Sequence, residues 1–402
     1  MTASPLPLPM ADELAHSNRL IGRIRDALDK HGERPGWISF ERFMEMALYE
    51  PGLGYYSAGA RKIGADGDFV TAPEISPLFS RCLAKQCAQV LSELRHQGLE
   101  ASVLELGAGS GIMAADILTE LAAMDRMPAR YFILEVSADL RDRQRETLSQ
   151  RAPDWLDRVT WLDSLPTDFV GIVIANEVLD ALPVQRFAIR GGQVNALGIT
   201  WQLGKLDWSE VRADAKLEAA VRQLETDIGR PLPDGYSSEI NLRLQPWFAG
   251  VARSVKQGVI LFVDYGLPRG HYYTAERTRG TLLCHYRHHF HDDALLHIGL
   301  QDIGAWVDFT AVAEAAVESQ CSVIGYTTQA HFLMGCGIDK LLQEYQPKGL
   351  ESRLQIGKQA MVLTLPGEMG ERFKVIALGK HWESPLDESL MGFSVRDMAA
   401  SL

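Results

Sequence analysis

What the chain lacks narrows its function first. No two of its five cysteines, Cys82, Cys87, Cys284, Cys321 and Cys336, are spaced as a zinc knuckle or a thioredoxin-like pair. An odd, scattered set fits a reducing compartment and buried structural thiols rather than a disulfide frame. No apolar run approaches the roughly 20 residues that a membrane helix needs, so membrane insertion is not expected. Positive charge is also scarce: 40 Lys and Arg face 52 Asp and Glu, a net charge of −12. A surface of that sign repels phosphate, which makes nucleic acid and anionic membrane poor partners. The opening "MTASPLPLPMADELAHSNRL" has neither a basic stretch ahead of an apolar core nor an Arg-rich amphipathic pattern. It reads as a loose, Pro-rich leader rather than a signal or transit peptide, and a cytoplasmic, bacterial-type location is the default expectation. Low-complexity tracts and internal repeats are missing too.

What is present is globular. With 402 residues, 46% of them hydrophobic and 23% charged, the chain can bury a large core. Helical periodicity runs from Leu20 to about Leu28 and again from Phe40 to Tyr49. In the second stretch Phe40, Phe43, Met44, Ala47 and Leu48 share a face, Ser39 can cap the start and Pro51 stops it. A long Gly- and Pro-punctuated loop follows, ending in "GDFVTAPE", and loops of that length are usually functional lids or disordered. Its aromatics, Tyr55, Tyr56 and Phe69, favour an ordered lid that closes over a ligand through Thr71, Pro73 and Glu74.

Beyond the helix "LFSRCLAKQCAQVLSEL", short apolar runs alternate with helical patterns. The runs are "SVLEL", "RYFILEV", "RVTWLD", "GIVIAN" and "GVILFVDYG". Continuous apolar strands alternating with helices predict an α/β fold, a mostly parallel sheet covered on both faces. The final "QAMVLTLPGEMGERFKVIALGK" reads as two strands of an antiparallel edge hairpin. Between the fourth and fifth strands lie more residues than one crossover needs. An insertion is expected at about 190–245, with a helix in "DWSEVRADAKLEAAVRQLETDI". The organisation expected is an N-terminal helical extension and lid over 1–79, then one domain over 80–402.

The first strand runs into "LELGAGSGIMAADIL", so Glu105 is followed by Gly107, Gly109 and Gly111 at the opening of a helix. Glycines there let the backbone approach a ligand closely. A dinucleotide fingerprint would need Gly or Ala where Ile112 stands, and a P-loop would need Gly-Lys-Ser/Thr. What remains is the acid-x-Gly-x-Gly-x-Gly pattern of S-adenosyl-L-methionine sites. A nucleoside across the strand ends also wants a carboxylate after the second strand for its ribose hydroxyls, and Glu135 stands 24 residues beyond Gly111. After the third strand, "TWLDSL" puts Asp163, with Ser164 beside it, where an adenine amine could donate.

The segments "ISFERFMEMALYEPGLGYY", "GDFVTAPEIS", "LELGAGSG", "VSADLRDRQ", "NEVLDALPVQRF", "VDYG" and "MGERFKVIALG" together resemble the MidA family, over about residues 37–380. The resemblance implies a Rossmann-like class I methyltransferase with a seven-stranded sheet. It also implies transfer of methyl groups from S-adenosyl-L-methionine to an arginine of a protein client, the large hydrophilic subunit of respiratory complex I. Departures fall on the substrate side. Val178 and Leu179 replace two aromatics, and Ile298, Gly304 and Trp306 replace a proline, a threonine and a histidine.

At the end of the fourth strand, "IVIANEVLDALPV" sets Asn176, Glu177 and Asp180 where a buried apolar run opens. Two carboxylates can grip a guanidinium by bidentate bonds and leave one nitrogen aimed at the methyl, with Asn176 as an orienting amide. Asn176 and Asp180 could instead simply cap a turn. Asp264 could satisfy loop amides, and Glu239 reads more readily as a solvated loop acid than as an acceptor ligand. His285, His288, His289 and His291 match no standard zinc spacing, so no metal is expected. The alternatives are a methyltransferase for a small molecule or another side chain, and a non-catalytic assembly factor that binds the same cofactor. Homo-oligomerisation stays open.

Overall fold

The structure is a computed structural model that describes residues 6–30, 34–58, 71–344, 349–383 and 389–402. Seven strands make its central sheet: β1 Ser102–Leu106, β2 Tyr131–Leu134, β3 Val159–Leu162, β4 Phe169–Asn176, β5 Val255–Leu267, β6 Ser322–Thr328 and β7 Phe373–Lys380. Their order is β6-β7-β5-β4-β1-β2-β3, with a two-residue bridge from Val307–Asp308 to the end of β5. The strands from β5 to β3 are parallel, and β7 runs antiparallel to both β5 and β6. The chain order reverses between β1 and β4, so the carboxyl ends of β1, β2 and β4 open onto one crevice.

The mostly parallel sheet stands as expected, and so do its first five strands. Its antiparallel pair differs in detail. Gln359–Thr364 is the end of the helix Leu350–Thr364, not a strand, and β7 pairs instead with Ser322–Thr328. An apolar "MVLT" flanked by helix formers serves either state, and here the helix wins because Ala360 and Leu363 reach the core one turn apart.

Both faces of the sheet are covered. Helices Pro77–His96 and Ile112–Ala123 bury Leu83, Leu91, Ile117 and Leu118 on one side. Helices Leu244–Ser254 and Phe309–Glu318 bury Phe248, Val251 and Val312 on the other. Each such aliphatic or aromatic side chain contributes about 1.5–3 kcal/mol when fully buried.

Two insertions and the N-terminus build a second layer. The stretch after β4 forms antiparallel strands Gln185–Arg190, Gln193–Gln202, Lys205–Arg212 and Ser237–Ile240, with a helix only over Ala215–Asp227. The three Gly-turned strands were not foreseen, because they alternate weakly and sit beside a strong helical pattern. Trp37–Ser39 adds a strand to this sheet against Gly198–Thr200. That approach needs Gly198, since a Cβ there would lie 2.3 Å from the Trp37 ring. After β5, a small sheet of Leu283–Tyr286, His289–His291 and Asp302–Gly304 packs on the N-terminal helices. Leu20, Ile24, Phe43, Tyr55, Cys284, Ile298 and Ile303 share one apolar cluster there. The first helix spans Ala11–Lys30, earlier than its apolar periodicity suggests, and Phe40–Tyr49 follows with Ser39 accepting from the Arg42 amide. All five cysteines are buried and unpaired. No described helix is long and apolar enough to cross a membrane.

Candidate active site

β1 ends where the backbone turns left-handed. Gly107, Gly109 and Gly111 have φ of 67°, 54° and 84°. At Gly111 a side chain is excluded twice, because its Cβ would also lie 2.9 Å from the Gln144 Cα. The helix Ala138–Arg151 is thereby pressed onto the loop, and Gln144 uses the contact. Its amide donates to the Gly109 carbonyl and to the Glu135 carboxylate, both at 3.1 Å, while the Trp161 indole donates to its oxygen at 2.9 Å. The Ser137 amide donates to the other Glu135 oxygen at 3.0 Å. Glu135 is thus buried and preset, with burial pushing its carboxyl above the ordinary range.

Gly107, Gly109, Glu135 and Ser137 line a cavity of about 760 Å³, a size suited to a nucleoside-sized ligand. Glu105, Gly107, Gly109, Ser110 and Glu135 form one end. Glu105 accepts from the Tyr131 hydroxyl at 2.6 Å, and burial pushes its carboxyl up to about 7. Thr71, Pro73 and Glu74 line the same cavity, and the Ser110 hydroxyl donates to Glu74. A close-approach glycine cradle with one pre-oriented carboxylate fits the adenosyl and methionyl parts of S-adenosyl-L-methionine.

The other end is acidic. Asn176 and Glu177 line it, together with Ala181, Leu182, Tyr49 and Tyr56. Glu177 sits at φ 55°, an unusual place for a side-chain residue and a strain of about 1–3 kcal/mol. Its amide donates to the Val263 carbonyl at 2.9 Å, which extends the pairing of β4 with β5 and fixes the turn. The Asn176 amide donates to the Glu177 carboxylate at 3.1 Å. Behind it, Asp264 accepts from the amides of Leu179, Asp180 and Tyr265 at 2.9, 3.3 and 2.9 Å. Burial, then the neighbouring acids, pushes Glu177 up to about 8. Burial, then Asp302, pushes Asp180 up to about 7, and Asp264 is also raised. Among the described residues no cation is ion-paired with Glu177, Asp180 or Asp264.

The expected residues do not all meet at the cavity. Asp180 is 6% exposed but does not line it; its Oδ1 has no hydrogen-bond partner among the described residues, and the Tyr265 hydroxyl donates to its carboxylate. Gly111 stands behind the loop it shapes. Asp163 and Ser164 do not line the cavity either, and the Asp163 side chain is 91% exposed and held by Arg141 at 2.7 Å. Glu239 is not a solvated loop acid: it lies buried on a strand, paired with Arg186 at 2.9 Å and with the Thr281 amide at 2.7 Å. It lines a second cavity of about 560 Å³ with Arg269 and Trp306. The histidines sit on the hairpin Leu283–His291, whose Arg287 grips Glu13 with two 2.8 Å bonds. Among the described residues no group of three or more His, Cys, Asp and Glu is placed to hold a metal ion. The part of the lid before Thr71, including Arg61, Lys62 and Phe69, lies outside the described residues. Tyr49, Tyr56 and Asp302 were not foreseen; the two tyrosines lie in the "LYEPGLGYY" stretch, where only packing shows that they reach the crevice.

Known proteins agree with this geometry. A family model described as "Putative S-adenosyl-L-methionine-dependent methyltransferase" matches residues 82–327. A crystal structure of a Burkholderia thailandensis superfamily member bound to S-adenosyl-homocysteine is 39% identical, with a TM-score of 0.91, and the match covers 99% of this chain and all of that one. Among curated relatives, mitochondrial protein arginine methyltransferase NDUFAF7 of Danio rerio is 27% identical over 85% of this chain and 83% of its own. The Bos taurus protein of the same name is 27% identical over 92% and 86%. The expectation of a cytoplasmic location does not stand, because these relatives are named as mitochondrial proteins. Cofactor cradle, sheet order and matched length converge: the chain belongs to this family of methyltransferases, which use S-adenosyl-L-methionine.

Proposed function

We propose that the chain methylates an arginine side chain of a protein client, with Asn176, Glu177 and Asp180 at the acceptor end. One observation carries this reading: Glu177, strained and half-buried at the cavity wall, stands with Asp180 and Asp264 in a cluster of acids that no cation among the described residues pairs with. Such a cluster is unfavourable until a cation enters. A guanidinium, charged at any working pH, supplies that cation and offers its planar N–H fork to the carboxylates. The arginine methyltransferases among the relatives support the same choice.

Glu105, the glycine loop with Ser110, and Thr71, Pro73 and Glu74 hold the cofactor, and Glu135 takes its ribose. When bound, the cofactor supplies a methyl on a sulfonium sulfur, which keeps the C–S electron pair as an acceptor nitrogen bonds the carbon. The acids then do three things. They orient the guanidinium in line. They spread its charge as the bond forms. They also take up the proton that the methylated nitrogen loses and pass it to water. A client like the large hydrophilic subunit of respiratory complex I fits the family resemblance. To test this, labelled S-adenosyl-L-methionine is incubated with the protein and host lysate, and the labelled band is hydrolysed. Methylated arginine is expected; label on lysine, a carboxyl group or a small molecule alone would overturn the reading.

A further inference from the structure

Asp302 belongs to neither the glycine cradle nor the turn after β4. It arrives from the insertion after β5, on the strand Asp302–Gly304, and is 5% exposed. One contact of its own and two features of the residues that follow it tie this segment to the acceptor end. The Tyr56 hydroxyl, on the cavity wall, donates to its Oδ1 at 2.9 Å. The Ala305 amide donates to the Asp180 carbonyl at 3.1 Å. A Cβ on Gly304 would lie 3.1 Å from the Asp180 carboxylate and 2.4 Å from the Tyr265 hydroxyl, so this strand presses directly on that pair. The titratable groups that interact with Asp180 are Glu177 on its own turn, Asp264 and Tyr265 on β5, Asp302 on the insertion strand, and Tyr49 and Tyr56 from the N-terminal segment.

We propose that Asp302 is a positioning residue of the methyl-acceptor end, which acts through Tyr56 and Asp180 and sets the proton that the acid cluster gives up when a cationic acceptor enters. This rests on the reading of the acid end given above. Beyond burial, two neighbours act on Asp180 in opposite directions. The charge of Asp302 makes ionisation of Asp180 harder, and the Tyr265 hydroxyl, donating to its carboxylate, makes it easier. Asp180 has to be ionised to hold a guanidinium, so transfer falls as pH drops through its ionisation. Entry of the cation then releases the shared proton to water, and Tyr56 reports the exchange at the wall because its hydroxyl is bound to Asp302.

The test reads Asp180 directly. Protein labelled with 13C at aspartate carboxyls is titrated with S-adenosyl-homocysteine bound, and the Asp180 signal is assigned by its loss in Asp180→Asn. In Asp302→Asn, which keeps an oxygen to accept from Tyr56, the Asp180 titration should move down by about one pH unit. In Tyr265→Phe it should move up, and in Asp302→Glu it should stay near wild type. The acidic limb of methyl transfer should move in the same directions. An Asp180 titration unmoved in Asp302→Asn overturns the proposal, even if activity is lower. If Asp302→Asn fails to fold, Tyr56→Phe takes its place: without that donor Asp302 keeps its proton more readily, and Asp180 should again titrate lower, with no change counting against the proposal. If the variants show these shifts but the wild-type protein transfers nothing to arginine, only the arginine reading is overturned.

Discussion

At the glycine end of the cavity the lining comes largely from residues 105–140, whereas the acid end draws on four separate segments: Tyr49 and Tyr56, the turn 176–182, Asp264 with Tyr265, and Asp302. The glycine end is preset by short-range bonds, such as Gln144 and Ser137 on Glu135, and its backbone is bent where only glycine fits. At the other end, raised carboxyls are crowded by long-range packing, with an oxygen of Asp180 left without a partner among the described residues. One end suits a ligand of fixed shape; the other is completed by the charge of what enters. Substitutions should therefore separate cofactor affinity from transfer.

The largest separation is expected at Glu177. Glu177→Gln keeps the size and the Asn176 contact but removes the charge that would face the acceptor. Methyl transfer should fall by about two orders of magnitude, as loss of a charge stabiliser typically does. Affinity for S-adenosyl-homocysteine should stay the same. Asp180→Asn should lose less, because Asp180 stands behind the wall rather than on it. Rates and calorimetric affinities of both variants check this, and wild-type transfer by Glu177→Gln would reduce the turn to a structural cap.

Glu135→Ala should do the reverse at the glycine end. It leaves ligand hydroxyls without a charged acceptor and frees Gln144 and the Ser137 amide, at a cost of about 2 kcal/mol, or roughly thirtyfold in affinity. Transfer at saturating cofactor should change far less than in Glu177→Gln. Calorimetry with an unchanged affinity would show that Glu135 does not face the ribose.

The same contrast explains what could be read from residues alone. Local chemistry was legible: Gly107, Gly109 and Gly111 before Ile112, Ser39 as a cap, and the five apolar runs that became β1 to β5. Contacts over hundreds of residues were not. Nothing near Tyr56 says that its hydroxyl meets Asp302, 246 positions away, and nothing near Gly198 announces that Trp37 crosses it. The strand Ser322–Thr328 was missed for a related reason: its polar-flanked alternation gains meaning only beside β7, which buries every residue.

The smallest effect is expected at Asp163, and it sharpens the comparison inside the glycine end itself. By position along the chain, Glu135 and Asp163 are equivalent acids, each closing a strand of the parallel sheet. Packing divides them. Glu135 is 5% exposed and held on both oxygens, whereas the Asp163 side chain is 91% exposed and, among the described residues, is held by Arg141 at 2.7 Å. Arg141 does not depend on that pair, because it also donates to the carbonyls of Glu135 and Leu162, both at 2.7 Å. An exposed ion pair contributes about 0–1 kcal/mol. Asp163→Ala should therefore leave the strand ends in register and change cofactor affinity by less than about threefold. Calorimetry of the two variants side by side decides the matter. A loss at Asp163 as large as that at Glu135 would mean that the carboxylate turns inward to meet the cofactor, and that both ends of the cavity are completed by their ligands.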